Sequence, residues 1–152
     1  MNMSVFERIK QQEEKYRILM SKLIRRLTVR CEYVNIESTP IWCHVDLKVT
    51  ADTSTMDIEI KERNEKTYSQ YIPLKVKKYK NMLKDHFNKK LLYVSFVNNE
   101  KAYIFDLTNL DLNKEKKEIW HIKKTQFDRN SPIEETEMIL LNKDNAYKVI
   151  EL

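Results

Sequence analysis

The chain has 152 residues, with 28 Lys and Arg against 23 Asp and Glu, two cysteines and no glycine. Without glycine it cannot form a Gly-rich phosphate loop or a dinucleotide-binding fingerprint, because both need backbone that lacks a Cβ, so we expect no nucleotide cofactor. No apolar run reaches the roughly 20 residues of a membrane span. Cys31 and Cys43 predict neither a disulfide framework nor a zinc site. These features predict a single domain over residues 1–152, in the cytoplasm and without membrane contact.

The predicted elements begin with a helix and three strands. Apolar residues at spacings of three and four predict a helix over residues 4–27. Glu13 falls on its buried arc and would either face the protein interior or reach solvent from the edge of the stripe, the more common arrangement. Alternating and apolar segments then predict strands over residues 30–36, 41–50 and 55–62.

The second half of the chain predicts another helix, a hairpin and a tail. The helix is expected to begin near Pro73, because proline suits the first helical turn. The apolar run at residues 91–97 predicts a strand buried on both faces, which forms a hairpin with residues 102–107. A strand follows at residues 119–122, and Ser131 begins a capping-box pattern that predicts a short helix. The core stripe of the second helix is expected to contain Ile72, Val76, Tyr79, Leu83 and Phe87.

This order of elements predicts an α/β or α+β domain in which helices flank a mixed β-sheet. The core is expected to span about residues 4–108. Residues 113–152 would add a C-terminal hairpin or tail to it.

Positive charge is concentrated in one part of the chain. Residues 61–90 contain ten Lys and Arg but only three acids, whereas the rest of the chain is slightly acidic. Clustered cations suit a polyphosphate partner, since they release the counterions that such a partner carries. A lysine-rich helix that merely faces solvent is the alternative interpretation. The predicted nucleic-acid-binding residues are Lys66, Lys75, Lys77, Lys78, Lys80 and Lys84.

The second and third predicted strands alternate apolar and polar residues, and this alternation fixes their register. A four-residue connection at residues 51–54 places Thr50 opposite Thr55 and puts all the apolar residues, from Val45 onward, on one face. The opposite face then brings Asp46 across from Glu59.

Two opposed carboxylates repel each other unless a cation lies between them. Oxygens from Asp46, Glu59 and the Ile60 carbonyl suit Mg²⁺ or Mn²⁺ as ligands. Lys61 lies on the same face as Glu59 and is placed to orient or deprotonate a water molecule. Ordinary cross-strand ion pairs on a solvated hairpin are the alternative.

These residues also match a known motif. Glu59-Ile60-Lys61, thirteen positions after Asp46, resembles the Asp…Glu-x-Lys core of the PD-(D/E)xK nuclease superfamily, although Val45 stands where the motif has proline. The resemblance implies a restriction-endonuclease-like αβββαβ core, with Asp46 and Glu59 as metal ligands and Lys61 as the catalytic lysine. By their placement on the two helices, Glu13 and Lys78 are similar to accessory catalytic residues of the superfamily.

The sequence therefore predicts a Mg²⁺- or Mn²⁺-dependent nuclease that hydrolyses phosphodiester bonds, with DNA favoured over RNA. A non-catalytic module on the same fold, which binds nucleic acid or protein, is the alternative. The oligomeric state stays open, a homodimer included.

Overall fold

A computed structural model describes residues 18, 22–26, 34–38, 45–52, 55–65, 69–86, 88–98, 100–123 and 130–151. Ile18 and residues 22–26 are helical. The strands are β1 (Val34–Ser38), β2 (Leu47–Ala51), β3 (Thr55–Arg63), β4 (Tyr71–Lys75), β5 (Lys90–Val97), β6 (Lys101–Asp106), β7 (Lys116–Lys123), β8 (Ile133–Asn142) and β9 (Lys148–Glu151). Helix α1 spans Val76–Lys84, and a short 3₁₀ helix spans Lys143–Asn145.

The strands form two sheets. The first is six-stranded in the order β1-β2-β3-β5-β6-β9, and the second is three-stranded in the order β4-β8-β7. Strands β1, β2 and β3 form an antiparallel meander, whereas β5 runs parallel to β3. A parallel neighbour needs a crossover connection, which β4 and α1 provide here. The protein is therefore mixed α/β with a mixed sheet, as the sequence predicts.

A core cluster packs on each face of the first sheet, and β5 carries residues of both clusters. Leu92, Val94 and Phe96 face a cluster that also contains helical Leu23 and Ile24. Leu91, Tyr93 and Val97 face a second cluster, which the second sheet and α1 complete. The continuous apolar run of β5 thus reflects burial on both faces, which confirms the prediction for residues 91–97.

The two predicted hairpins are confirmed. In the first, Thr50 pairs with Thr55 and Leu47 with Ile58, in the predicted register. In the second, Val97 pairs with Lys101, and the turn residue Asn98 has a φ of 53°. Asparagine tolerates this left-handed conformation better than most residues, so it does here what glycine does in other hairpins.

The predicted start of the second helix was wrong. Pro73 lies in β4, and the helix begins three residues later at Val76. Because β4 is an edge strand, proline costs it no ladder hydrogen bond, and Ile72 and Leu74 are buried against the first sheet. Leu83, predicted in the core stripe, is exposed.

The predicted short helix at Ser131 was also wrong. Residues Ile133–Asn142 form β8, which pairs with both β4 and β7. A capping-box pattern is a local signal, and here the pairing of a strand on each side outweighs it. The C-terminal segment, predicted to lie outside the core, contributes to it, because β9 pairs with β6 and extends the first sheet.

The described part of the chain contains no helix that is both long and apolar enough to cross a membrane.

Two isoleucines in β8 provide a test of where the core ends. Ile139 is completely buried, whereas Ile133 is 68% exposed. Ile139→Ala is expected to lower the free energy of unfolding by about 2–5 kcal/mol, because it leaves a cavity in a packed interior. Ile133→Ala, the same change at the other end of the strand, should cost less than about 1 kcal/mol. Urea unfolding monitored by circular dichroism measures both, and equal losses would contradict this packing.

Candidate active site

Asp46 is held in place by the backbone of β3. Its amide donates to the Ile58 carbonyl at 2.9 Å, and its Oδ2 accepts a hydrogen bond from the Ile60 amide at 2.7 Å. The carboxylate thus replaces the backbone acceptor that a longer β2 would supply. Val45 consequently turns to the opposite core cluster from Ile60, which corrects the prediction that both share one face.

Glu59 lies beside Asp46 and is buried, with 8% of its surface exposed. Its Oε1 is 2.9 Å from the Lys78 ammonium, whereas its Oε2 has no hydrogen-bond partner within the described residues. Burial, and next the nearby charge of Asp46, raises the pKa of Glu59 to about 8, although Lys78 opposes that rise. Protonation is favoured further because a protonated Glu59, unlike the carboxylate, can donate a hydrogen bond to the Asp46 carboxyl. The two acids therefore need either a proton or a cation.

Lys61 follows on the same face of β3 and is solvent-exposed. Partial desolvation of its ammonium, followed by repulsion from Arg63 and Lys75, lowers its pKa, and attraction to Glu59 opposes this. A lysine whose neighbours are mostly cations suits an anionic ligand and gives up its proton more readily than an isolated one.

Helix α1 presents Lys78 to this acid pair. The buried residues of this helix are Val76, Tyr79 and Met82. They are three positions apart, so they share one face, which packs into the second core cluster. Lys78 is half-buried next to Glu59 as a result. The lysines around it, Lys75, Lys77, Lys80 and Lys84, are exposed.

A second polar cluster on the same face surrounds Asp57, which is completely buried. Its carboxylate contacts Lys48 Nζ at 3.1 Å, His86 Nδ1 at 2.7 Å and both the amide and the side chain of Asn88. Alternation predicts the pairing of Asp57 with Lys48, which is confirmed. The contribution of His86 was missed, because no local pattern reports a contact across 29 residues. This cluster fastens the end of α1 to β3.

Apart from the four exposed lysines described above, the predicted site residues separate into three groups. Asp46, Glu59 and Lys78 are brought together, and Lys61 is adjacent on the same face. Ile60 contributes its amide to Asp46, while the ligand role of its carbonyl stays a prediction. Glu13 and Lys66 lie outside the described residues.

The donor set of Asp46 and Glu59 fits a hard divalent cation. Mg²⁺ is usually bound through one or two carboxylates, with waters and substrate phosphates as its other ligands. The buried Glu59 Oε2, which receives no hydrogen bond from the described residues, is an oxygen of this kind. Those residues contain no group of three or more His, Cys, Asp or Glu arranged to hold a metal. Water and phosphate would therefore have to complete the coordination.

A cavity of about 470 Å³ lies elsewhere in the fold. It opens beside the loop that follows β6, where Asp106, Asp111 and Glu115 line it. None of the predicted site residues lines this cavity, so it has no part in the chemistry considered below.

Comparison with family models, curated proteins and solved structures finds no match to this chain. A functional assignment therefore depends on the chemistry of the site.

Glu59→Gln tests the buried carboxylate through its effect on stability. Below about pH 4.5 Glu59 is protonated in both the folded and the unfolded chain, but between that pH and about 8 only the unfolded chain releases the proton. The wild type therefore loses stability as the pH rises through this window, whereas the Gln variant does not. At about 1.36 kcal/mol per pKa unit, the variant should gain at most about 5 kcal/mol relative to wild type.

Urea unfolding at about pH 5 and about pH 8 measures this gain. Glu100→Gln, in the exposed turn after β5, is the matched control and should show the same pH dependence as wild type. A difference between Glu59→Gln and wild type that stays constant with pH would contradict the raised pKa.

Proposed function

We propose that this protein is a metal-dependent nuclease that hydrolyses phosphodiester bonds of DNA. The observation that carries the proposal is the buried Glu59, whose Oε2 receives no hydrogen bond from the described residues while the Asp46 carboxyl lies beside it. Burying Glu59 beside a second carboxylate is unfavourable without a compensating ligand. A nuclease can use such a pair of acids to bind a divalent cation.

The topology supports a relationship to the PD-(D/E)xK superfamily. Helical residues 22–26, the β1-β2-β3 meander, α1 and β5 follow one another in the αβββαβ order that the resemblance implies. The chain adds β4 between β3 and α1. Asp46 immediately precedes β2, and the Glu59-Ile60-Lys61 segment lies in the neighbouring strand β3, a placement that is compatible with the motif.

The proposed mechanism assigns a role to each side chain of the site. Asp46 and Glu59 would hold Mg²⁺ or Mn²⁺, which supplies Lewis-acid stabilisation of the negative charge that develops on the phosphate. The hydrogen bond from the Ile60 amide would hold the Asp46 carboxylate in a fixed orientation toward the metal ion. Lys61 would orient the attacking water and accept its proton, for which a lowered pKa is an advantage.

The exposed lysines around α1 support nucleic acid as the substrate. Lys77, Lys80 and Lys84 are exposed on α1, the helix that carries Lys78, and the exposed Lys75 directly precedes it. Lysines so placed hold a phosphate backbone through charge, without reading its sequence. A substrate with repeated phosphates would contact several of them at once.

Metal binding is expected to stabilise the wild type through the acid pair. At a Mg²⁺ concentration ten times its dissociation constant, linkage predicts about 1.4 kcal/mol, or a rise in Tm of roughly 3–5 °C. Asp46→Asn should lose most of this rise, because it removes the charge but keeps an oxygen that can accept from the Ile60 amide. Differential scanning fluorimetry measures the effect, and Glu100→Gln serves as a control with the same loss of charge. Equal rises in all three proteins would rule out this metal site.

Cleavage of DNA is the direct test of the enzymatic proposal. Supercoiled plasmid and single-stranded DNA with Mn²⁺ should be cut by the wild type, and Lys61→Ala should reduce the rate at least about a hundredfold, as removal of a general base does. Lys148→Ala, on the exposed edge strand β9, is the control and should cleave normally. DNA binding without cleavage of either substrate would contradict the enzymatic proposal and favour the non-catalytic binding module instead.

A further inference from the structure

Lys78 already serves as a cation for the acid pair. Its ammonium is 2.9 Å from Glu59 Oε1, and its side chain is 34% exposed while that of Glu59 is 11% exposed. The contact is thus buried on the acid side and open to solvent on the lysine side. Both its charge and its hydrogen bond lower the pKa of Glu59, so Lys78 supports the ionised carboxylate.

The side chain of Lys78 can move while the helix that carries it stays in place. The helix backbone is anchored by its buried neighbours, since Tyr79 and Met82 pack in the second core cluster. Lysine, by contrast, has a flexible four-carbon stem and a strongly hydrated head, so its ammonium can exchange a carboxylate for water at little cost. The site therefore combines a fixed acid with a movable cation.

An ammonium and a divalent ion compete for the same carboxylate. Both bind oxygen at short range, and in a partly desolvated site the repulsion between two cations on one carboxylate is large. Two carboxylates provide two negative charges, which one divalent ion neutralises by itself. The ammonium of Lys78 is then no longer needed to balance the charge of Glu59.

We propose that Lys78 is an internal counter-ion of Glu59, which a divalent metal ion displaces, so that metal binding delivers the lysine to a phosphate of the nucleic acid. This inference rests on the proposed function, since it assumes that Asp46 and Glu59 bind metal. It changes the role of Lys78 from an accessory catalytic residue to a positioning residue that couples metal binding to substrate binding. Such coupling is reciprocal, so bound nucleic acid would also favour the metal.

Chemical labelling of lysines tests the displacement directly. A brief treatment with an acetylating reagent, followed by chymotryptic digestion and fragment-ion mass spectrometry, reports Lys78 and its exposed neighbour Lys77 within the same peptide. Mg²⁺, at a concentration that gives the full rise in Tm, should increase the labelling of Lys78 relative to Lys77 by about threefold or more, because the released fraction reacts. Asp46→Asn should show no increase.

The outcomes distinguish the two proposals. If Mg²⁺ raises the Tm of the wild type but leaves the ratio of Lys78 to Lys77 labelling unchanged, the metal binds without displacing Lys78 and this inference is wrong, whereas the proposed function stands. If Mg²⁺ changes neither quantity, the metal site is absent and both proposals fail.

A further arm tests the destination of the lysine. A single-stranded oligonucleotide added with Ca²⁺ in place of Mg²⁺ should protect Lys78 from labelling again. Continued labelling at the level seen with Ca²⁺ alone would overturn the assignment of Lys78 to a phosphate.

Discussion

The candidate site depends on one hydrogen bond, from the Ile60 amide to the Asp46 carboxylate. The Asp46 amide still donates to the Ile58 carbonyl of β3, but the next amide of β3 on that side, that of Ile60, bonds to a side chain. The side chain of Asp46 takes over as the acceptor. The Ile60 amide of β3 thus has a hydrogen-bond acceptor, and the Asp46 carboxylate lies beside Glu59. Without this hydrogen bond, the two acids would share a face of the sheet but would not be held together.

Burial of Glu59 then determines the electrostatics around it. The crossover from β3 to β5 must cover the face of the sheet that carries Glu59, and α1 does so with its apolar stripe. The same helix supplies Lys78, so one element both removes water from the acid and provides a counter-charge. Burying a charged group lowers the stability of a protein unless a partner or a ligand compensates. Groups buried in this way therefore occur often at functional sites.

The sequence predicted the parts of this arrangement that depend on local periodicity. Alternation along β2 and β3 gave the right register, and with it the proximity of Asp46 to Glu59 and of Lys48 to Asp57. The uninterrupted apolar run of β5 correctly indicated burial on both faces. Signals at the ends of elements were less informative. Pro73 resembles the first turn of a helix, and Ser131 resembles an N-cap, yet both positions lead into or lie in strands of the second sheet.

What the sequence determined by itself was the chemical identity of the candidate site: two acids and a lysine at the spacing of neighbouring strands. The pattern of apolar and polar residues is enough to predict this, because successive side chains of a strand point to opposite faces of the sheet. Tertiary structure alone decided that Lys78 pairs with Glu59, that His86 joins Asp57 and that β8 lies between β4 and β7. The first two contacts join residues separated by 19 and 29 positions along the chain, and the third joins strands of different supersecondary units, so no local pattern encodes them.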